Sequence, residues 1–486
     1  MPLDVARTAK LLETLATAHV LEQVAPDRYG LHDLVRLYAR RRCQAEDRDR
    51  DAALDRLYGH YLSGVDAAAR HIYPHVVRLP MPDIGDPAHA PVFGSREEAG
   101  RWLESERSNM AIAITSAGRA HREAAWRLAD ALRGHFFVRV HTADWLPIAQ
   151  AALSHAQAEA DSAGQAAAHL GLGMVWWFRN RYDSAIDSFS RARTFARQAV
   201  WENGEMSALG NLGSIYFEIG ELETAARICQ ETLELARRIG NTSGVVMRLC
   251  TLGNIRVGQG RLAEAVSYCE RAVELERQIG QWYGQGLALS SLGEAYQLLG
   301  RAEEALACLT QALRQHGQVG SPYNQADVLR TLALVHADSG NLAEAVIVAD
   351  RALRLARDTG DRWIEAQALT TQAKLHLQIG KGRQAADALV AALHLARQVG
   401  AKPVEAEALN GLARAHLLIG QCEAASHHAH EALRISRRLG CRIQEGDALG
   451  ILASTCAATD DQREAYQAQA DSIRAQTGHR PMSTVP

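Results

Sequence analysis

An imidazole followed at once by a carboxylate, His32-Asp33, stands in the stretch RYGLHDLVRLYARRR at residues 28–42. At a helix start such a pair can cap the helix or reach a phosphate. A second candidate is SHHAHEALR (426–434), which puts His427 and His430 on one helix face. Two imidazoles could begin a metal site, but the spacing offers no third ligand, so a solvated face and no metal are expected. His71 and His75 are also one turn apart, yet Pro74 interrupts the helix that would align them. Arg40-Arg41-Arg42 could touch phosphates, but Glu46, Asp47 and Asp49 follow closely, so no direct nucleic-acid contact is expected. The eight cysteines form no C-x-x-C pair and are expected to be reduced, mostly buried, small hydrophobes. With no H-E-x-x-H or G-x-S-x-G, the residues point away from an enzyme and imply no cofactor.

The elements that carry these residues are set by a forty-residue ruler. Glycines recur at 220, 260, 300, 340, 380 and 420, and again at 240, 280, 320, 360, 400 and 440. Each follows an amphipathic segment of helix length and suits the left-handed position just past a helix end. Leucine recurs from Leu209 to Leu449, a small residue from Gly213 to Ala453, and alanine from Ala185 to Ala465, all in the same register. A large apolar residue one turn from a small one lets a partner helix approach closely. The expected fold is all-α, an α-solenoid of about nine helical hairpins with a forty-residue period. Eight hairpins are clear between about 165 and 476 and a weaker one precedes them, so the array is placed at 121–476 with a flexible tail at 477–486.

The first quarter reads differently. A helix is expected over 4–22, then two short apolar runs around the Pro26-Asp27 turn as a β-hairpin, then a helix capped by Asp33 whose apolar face is Leu34, Leu37 and Tyr38. This order is the second half of a winged helix, a partial segment over 1–45. Residues 46–120 are expected to be a helical linker region with a Pro-rich loop at 78–95.

The repeat pattern resembles the tetratricopeptide repeat (TPR), whose key positions match Leu212-Gly213, Tyr216, Ala225 and Ala272, with each hairpin lengthened from that family's period of 34. The stretch YGLHDLVRLYARRR, with RHIYPH and EEAGRWLESERSNMAIAI ahead of the repeats, resembles the C-terminal half of NB-ARC or STAND-type signalling ATPases. Among these it is most similar to bacterial transcription activators of the antibiotic-regulatory-protein kind. That resemblance gives Leu31-His32-Asp33 the place of a Met-His-Asp motif whose His reaches the bound nucleotide's phosphates. No G-x-x-x-x-G-K-[ST] occurs in the sequence, so His32 would contact nucleotide only if a P-loop domain completed the site, in cis or in trans. In the chain alone, a His packed beside a helix start is preferred.

By the family's register the first helix of each hairpin lines a concave groove, which places Met174, Trp177 and Phe178 at one end and Asn254, Glu294, Arg330, Lys374, Asn410 and Arg414 farther along. An aromatic end and a basic end would suit an extended protein or peptide ligand with an acidic stretch. A net charge of −3, no apolar run long enough for a membrane span and no secretion signal point to a cytoplasmic protein. The expected function is the protein-binding sensor or autoinhibitory arm of a STAND-type transcriptional regulator. The alternatives are a stand-alone TPR adaptor or signalling-peptide receptor and, remotely, an enzyme or metal protein on an α-solenoid.

Overall fold

The computed structural model describes residues 5–25, 28–46, 49–73, 76–81, 91–139, 142–279, 282–456 and 458–481. The expected Pro26-Asp27 turn, Asp47, Pro74, His75, Gly280 and the stretches 82–90 and 482–486 lie outside them. No helix among the described residues is long and apolar enough to cross a membrane.

The chain opens with α1 (Val5–Thr17), an antiparallel pair β1 (Leu21–Ala25) and β2 (Arg28–Leu31), and α2 (Asp33–Glu46). The apolar face expected for α2 is open to solvent, with Leu34 81% and Leu37 57% exposed. α1 packs on β1 and β1 pairs with β2, and Arg28 holds the unit to the rest of the chain through Glu106.

The next helices, α3 (Arg50–Ile72) and α4 (Arg96–Thr115), do more than link. Tyr58, Leu62, Val65, Leu103 and Met110 are buried in the same core as α5 (Arg122–Arg139) and α6 (Thr142–Ala158). Residues 76–81 are tied to α5 where Leu79 N donates to Asp130 Oδ2 at 2.8 Å, while Arg133 pairs with the same carboxylate.

After the α5–α6 hairpin come eight more. They are α7 (Ser162–Phe178) with α8 (Tyr182–Gln198), α9 (Glu202–Glu218) with α10 (Leu222–Arg238), α11 (Thr242–Gly258) with α12 (Leu262–Ile279), and α13 (Trp282–Leu298) with α14 (Ala302–Val319). Then follow α15 (Pro322–Asp338) with α16 (Leu342–Thr359), α17 (Arg362–Gln378) with α18 (Gly382–Val399), α19 (Lys402–Leu418) with α20 (Cys422–Leu439), and α21 (Arg442–Ala453) with α22 (Asp460–Thr477). The nine hairpins among the described residues match the expected number of about nine. Close approach inside a hairpin rests on the small register: a Cβ on Gly253 would stand 2.5 Å from Cys269 Sγ. The turn glycines have positive φ, whereas the first turns use Ala160, Asn180 and Val200 at φ of 52–53° instead.

The hairpins wind tightly enough for successive turns of the superhelix to touch. Asn180 Oδ1 accepts from Arg362 N at 3.1 Å. Gly220 sits where a Cβ would be 2.9 Å from Pro403 and Leu439, and a Cβ on Gly260 would be 2.9 Å from Arg442. Arg480 N donates to Leu298 O at 2.9 Å. The contacts to Arg362, Pro403, Arg442 and Arg480 each span about four and a half hairpins, which is the length of one superhelical turn. The odd-numbered helices thus enclose a channel.

Candidate functional site

The channel holds a cavity of about 1120 Å³, larger than a typical small-molecule pocket. Its wall is written in the forty-residue register. Asn254, Glu294, Leu334, Lys374, Arg414 and Ser454 form one row, and Asp327, Gln367, Glu407 and Asp447 form another, seven positions earlier on their helices. Residues seven apart lie two turns along one helix face, so both rows look inward.

The rows meet between neighbouring hairpins. Lys374 Nζ lies 2.5 Å from Glu407 Oε1, and an Arg414 guanidinium nitrogen 2.9 Å from Asp447 Oδ1. At the equivalent place farther up, two acids face each other, Glu294 and Asp327. Arg330, one turn beyond Asp327, bridges them at 3.1 and 2.9 Å. Burial raises the Glu294 carboxyl, with Arg330 opposing and Asp327 adding to the rise. Burial also works against ionised Glu407, yet Lys374 and then Arg330 hold it below the usual carboxylate range. Asp447 is held low in the same way, by Arg414 and then His479.

These pairs correct the expected basic end. Arg330, Lys374 and Arg414 do line the channel, but each is matched by a carboxylate, so the wall is an alternating ladder. Asn254 and Glu294 line it as well. Asn410 does not: it is buried within the wall, its Nδ2 donating to Gln444 O at 2.9 Å. Side-chain amide oxygens of Asn254, Gln367, Gln378 and Gln444 are buried there without a hydrogen-bond partner. The acids opposite Lys374 and Arg414 are invisible to helical periodicity because each lies 33 residues away on a separate helix; the recurrence of an acid at 327, 407 and 447 is the available signal.

The expected aromatic end is also elsewhere. Trp177 Nε1 donates to Glu218 Oε2 at 2.8 Å, and Phe178 packs against Phe137, Trp145 and Tyr323, whose ring stacks on Trp363. Met174 is buried. This group cements the seam between superhelical turns, where Asp361 Oδ1 caps α17 by accepting from Trp363 N and Ile364 N. Burial, and then Asp361, pushes the Glu218 carboxyl up to about 8; burial pushes Asp361 up to about 6.

His32 is 71% exposed, its Nε2 4.0 Å from Glu22 Oε2, so it is not packed at the helix start. Asp33 is the first residue of α2 and pairs with Arg36 at 3.3 Å. His430 Nδ1 lies 2.8 Å from Ser426 O on its own helix. Cys422 and Cys456 form a disulfide beside the channel, a correction to eight reduced thiols: the turn after α21 brings Cys456 to the start of α20. Of the six free cysteines, four are buried.

The ladder of paired helices has a known counterpart. A family model described as Tetratricopeptide repeat matches residues 204–278, 246–318 and 284–358, and a second of the same description matches 370–438. The chain carries tetratricopeptide repeats over these stretches. Among curated proteins, its sequence is 30% identical over 281 residues to the regulatory protein AfsR of Streptomyces griseus, and 28% over 286 residues to AfsR of Streptomyces coelicolor. Each match covers 48% of this chain, which spans only 28% of the length of those relatives. Among solved structures, a Rap protein complexed with competence and sporulation factor superposes with a TM-score of 0.53 at 15% identity, covering 71% of this chain and 92% of that one. That likeness is one of fold, and this TPR chain shares with it the wound array of hairpins.

Proposed function

We propose that this TPR protein is the ligand-sensing arm of a STAND-type transcriptional regulator acting in the cytoplasm, and that its channel receives an extended protein or peptide segment. The observation that carries the reading is the cavity of about 1120 Å³ walled by a periodic ladder of charges and amides. An extended peptide presents a backbone N–H every two residues on each side, and the side-chain amides of Asn254, Gln367, Gln378 and Gln444, which line the channel, are groups suited to it. The alternating ion pairs suit a ligand of mixed charge rather than an acidic one. Nothing in the wall resembles a nucleophile with its base, so binding rather than catalysis is the reading adopted.

Similarity to AfsR supports the regulatory part. The solvent-exposed face of α2, next to exposed His32, supports a nucleotide-binding domain docking there in cis or in trans. A free-standing peptide receptor is the second reading, favoured by the fold shared with a Rap protein that was solved bound to a factor.

The test fills the channel. Leu334 lies in the inward row between Glu294 and Lys374, and Leu334→Trp would obstruct it. Peptides captured from the source cells by the purified chain, identified by mass spectrometry and resynthesised, should bind saturably to the wild type and at least tenfold more weakly to the variant. Equal binding by both would remove the channel as the site.

A further inference from the structure

Outside the channel, α19 and α20 gather imidazoles. On α20, His427, His428 and Glu431 each offer one ligand atom, and all three atoms lie within 4.8 Å of one another. Glu431 is four residues from one His and three from the other, so it shares a helix face with both. His428 Nδ1 is buried and makes no hydrogen bond. A buried ring nitrogen without a partner is costly unless something else satisfies it.

The surroundings prepare these groups as ligands. His416 of α19 stacks on His428 with ring centroids 5.3 Å apart, and His427 meets His428 at 5.5 Å. The Glu431 carboxylate is held in place through Oε1, which accepts from Arg397 at 2.8 Å. Fixing of a ligating carboxylate by an outer hydrogen bond is a usual feature of metal sites.

We propose that His427, His428 and Glu431 form a binding site for a divalent transition-metal ion of the Zn²⁺ class. Two imidazole nitrogens and one carboxylate oxygen suit Zn²⁺ and disfavour Mg²⁺ or Ca²⁺, which demand oxygen ligands. All three ligands sit on a single helix, so the ion does not staple the array and its removal leaves the fold intact. His430, weighed in sequence beside His427 with no metal expected, lies outside this cluster, its Nδ1 2.8 Å from Ser426 O.

The test uses the full chain, stripped with a chelator and dialysed, then titrated with zinc chloride by isothermal calorimetry. One equivalent should bind to the wild type and to His430→Ala, which removes a neighbouring imidazole outside the site. His427→Ala and His428→Ala should each bind at least tenfold more weakly, and Glu431→Gln should bind more weakly than wild type. Circular dichroism melting of each variant establishes that it is folded. Binding unchanged in His428→Ala overturns the proposal, as does no stoichiometric binding.

Discussion

Burial at the seam between superhelical turns, followed by the nearby Asp361 charge, pushes the Glu218 carboxyl up to about 8. An unfolded glutamic acid ionises near its ordinary value of about 4.3. Below that value both states hold the proton and the folded chain keeps its full stability. As the pH rises from about 4.5 to 8 the unfolded chain releases the proton while the folded one retains it, so stability falls, and above 8 it levels off. Asp361, raised to about 6, adds a loss of the same sign at lower pH. Glu218→Gln keeps an acceptor for Trp177 Nε1 and removes the titration. At about 1.4 kcal/mol per pH unit, reduced by relaxation of the seam, the variant should be more stable than wild type by about 2–4 kcal/mol at pH 8 and nearly equal to it at pH 4.5. Urea unfolding across this range measures the difference. Parallel curves for the two proteins would mean that Glu218 is ionised in the folded chain.

At the scale of elements, the turns between hairpins hold unequal strain. Eleven turn glycines from Gly220 to Gly440, with Gly478 after the last helix, sit at positive φ, but Val200 occupies the same conformation at φ 53°. A β-branched side chain there crowds its own backbone, and Val200 is 83% exposed, so it repays little by packing. Val200→Gly should therefore stabilise the chain by about 1 kcal/mol, the relief of left-handed strain outweighing the added freedom of the unfolded chain. A thermal midpoint no higher than wild type would show that the turn tolerates valine without cost. The hairpins themselves were legible because a repeat prints the same packing residues at a fixed spacing, so Leu209, Gly213 and Ala225 announce their partners in every unit. The channel was half legible for the same reason. Asn254, Glu294, Lys374 and Arg414 follow the printed register, whereas Glu407 and Asp447 act across a hairpin boundary, where no helical periodicity links them to their partners. Trp177 and Phe178 looked like a groove because their register faces inward; the winding, which brings Tyr323 and Trp363 against them, depends on small rotations summed over several hairpins and leaves no local mark.

At the scale of the molecule, those rotations change what kind of solenoid this is. In an open array each hairpin touches only its neighbours, and stability is a sum of local terms. Here the turns near Asn180, Gly220, Gly260 and Gly300 rest on residues of the following superhelical turn, so distant hairpins stabilise one another. The last of these contacts is made by the segment after α22. His479, Arg480 and Pro481 line the channel, Arg480 N donates to Leu298 O, and the Arg480 side chain covers Gly300 so closely that a Cβ there would be 2.7 Å from its Cδ. Four residues thus bridge the final hairpin to the α13–α14 turn and close one side of the channel. Truncation after Thr477 should leave every hairpin folded but release that side. Amide hydrogen exchange at residues 298–301 should quicken at least tenfold, while the buried α7–α8 hairpin, far from the contact, exchanges as before. Exchange that is unchanged at 298–301 would mean that α13 and α14 hold their own turn and that the terminal segment is a passive end. Faster exchange throughout would mean that the segment supports the whole array, with the seam behaving as one cooperative unit instead of a series of separate contacts.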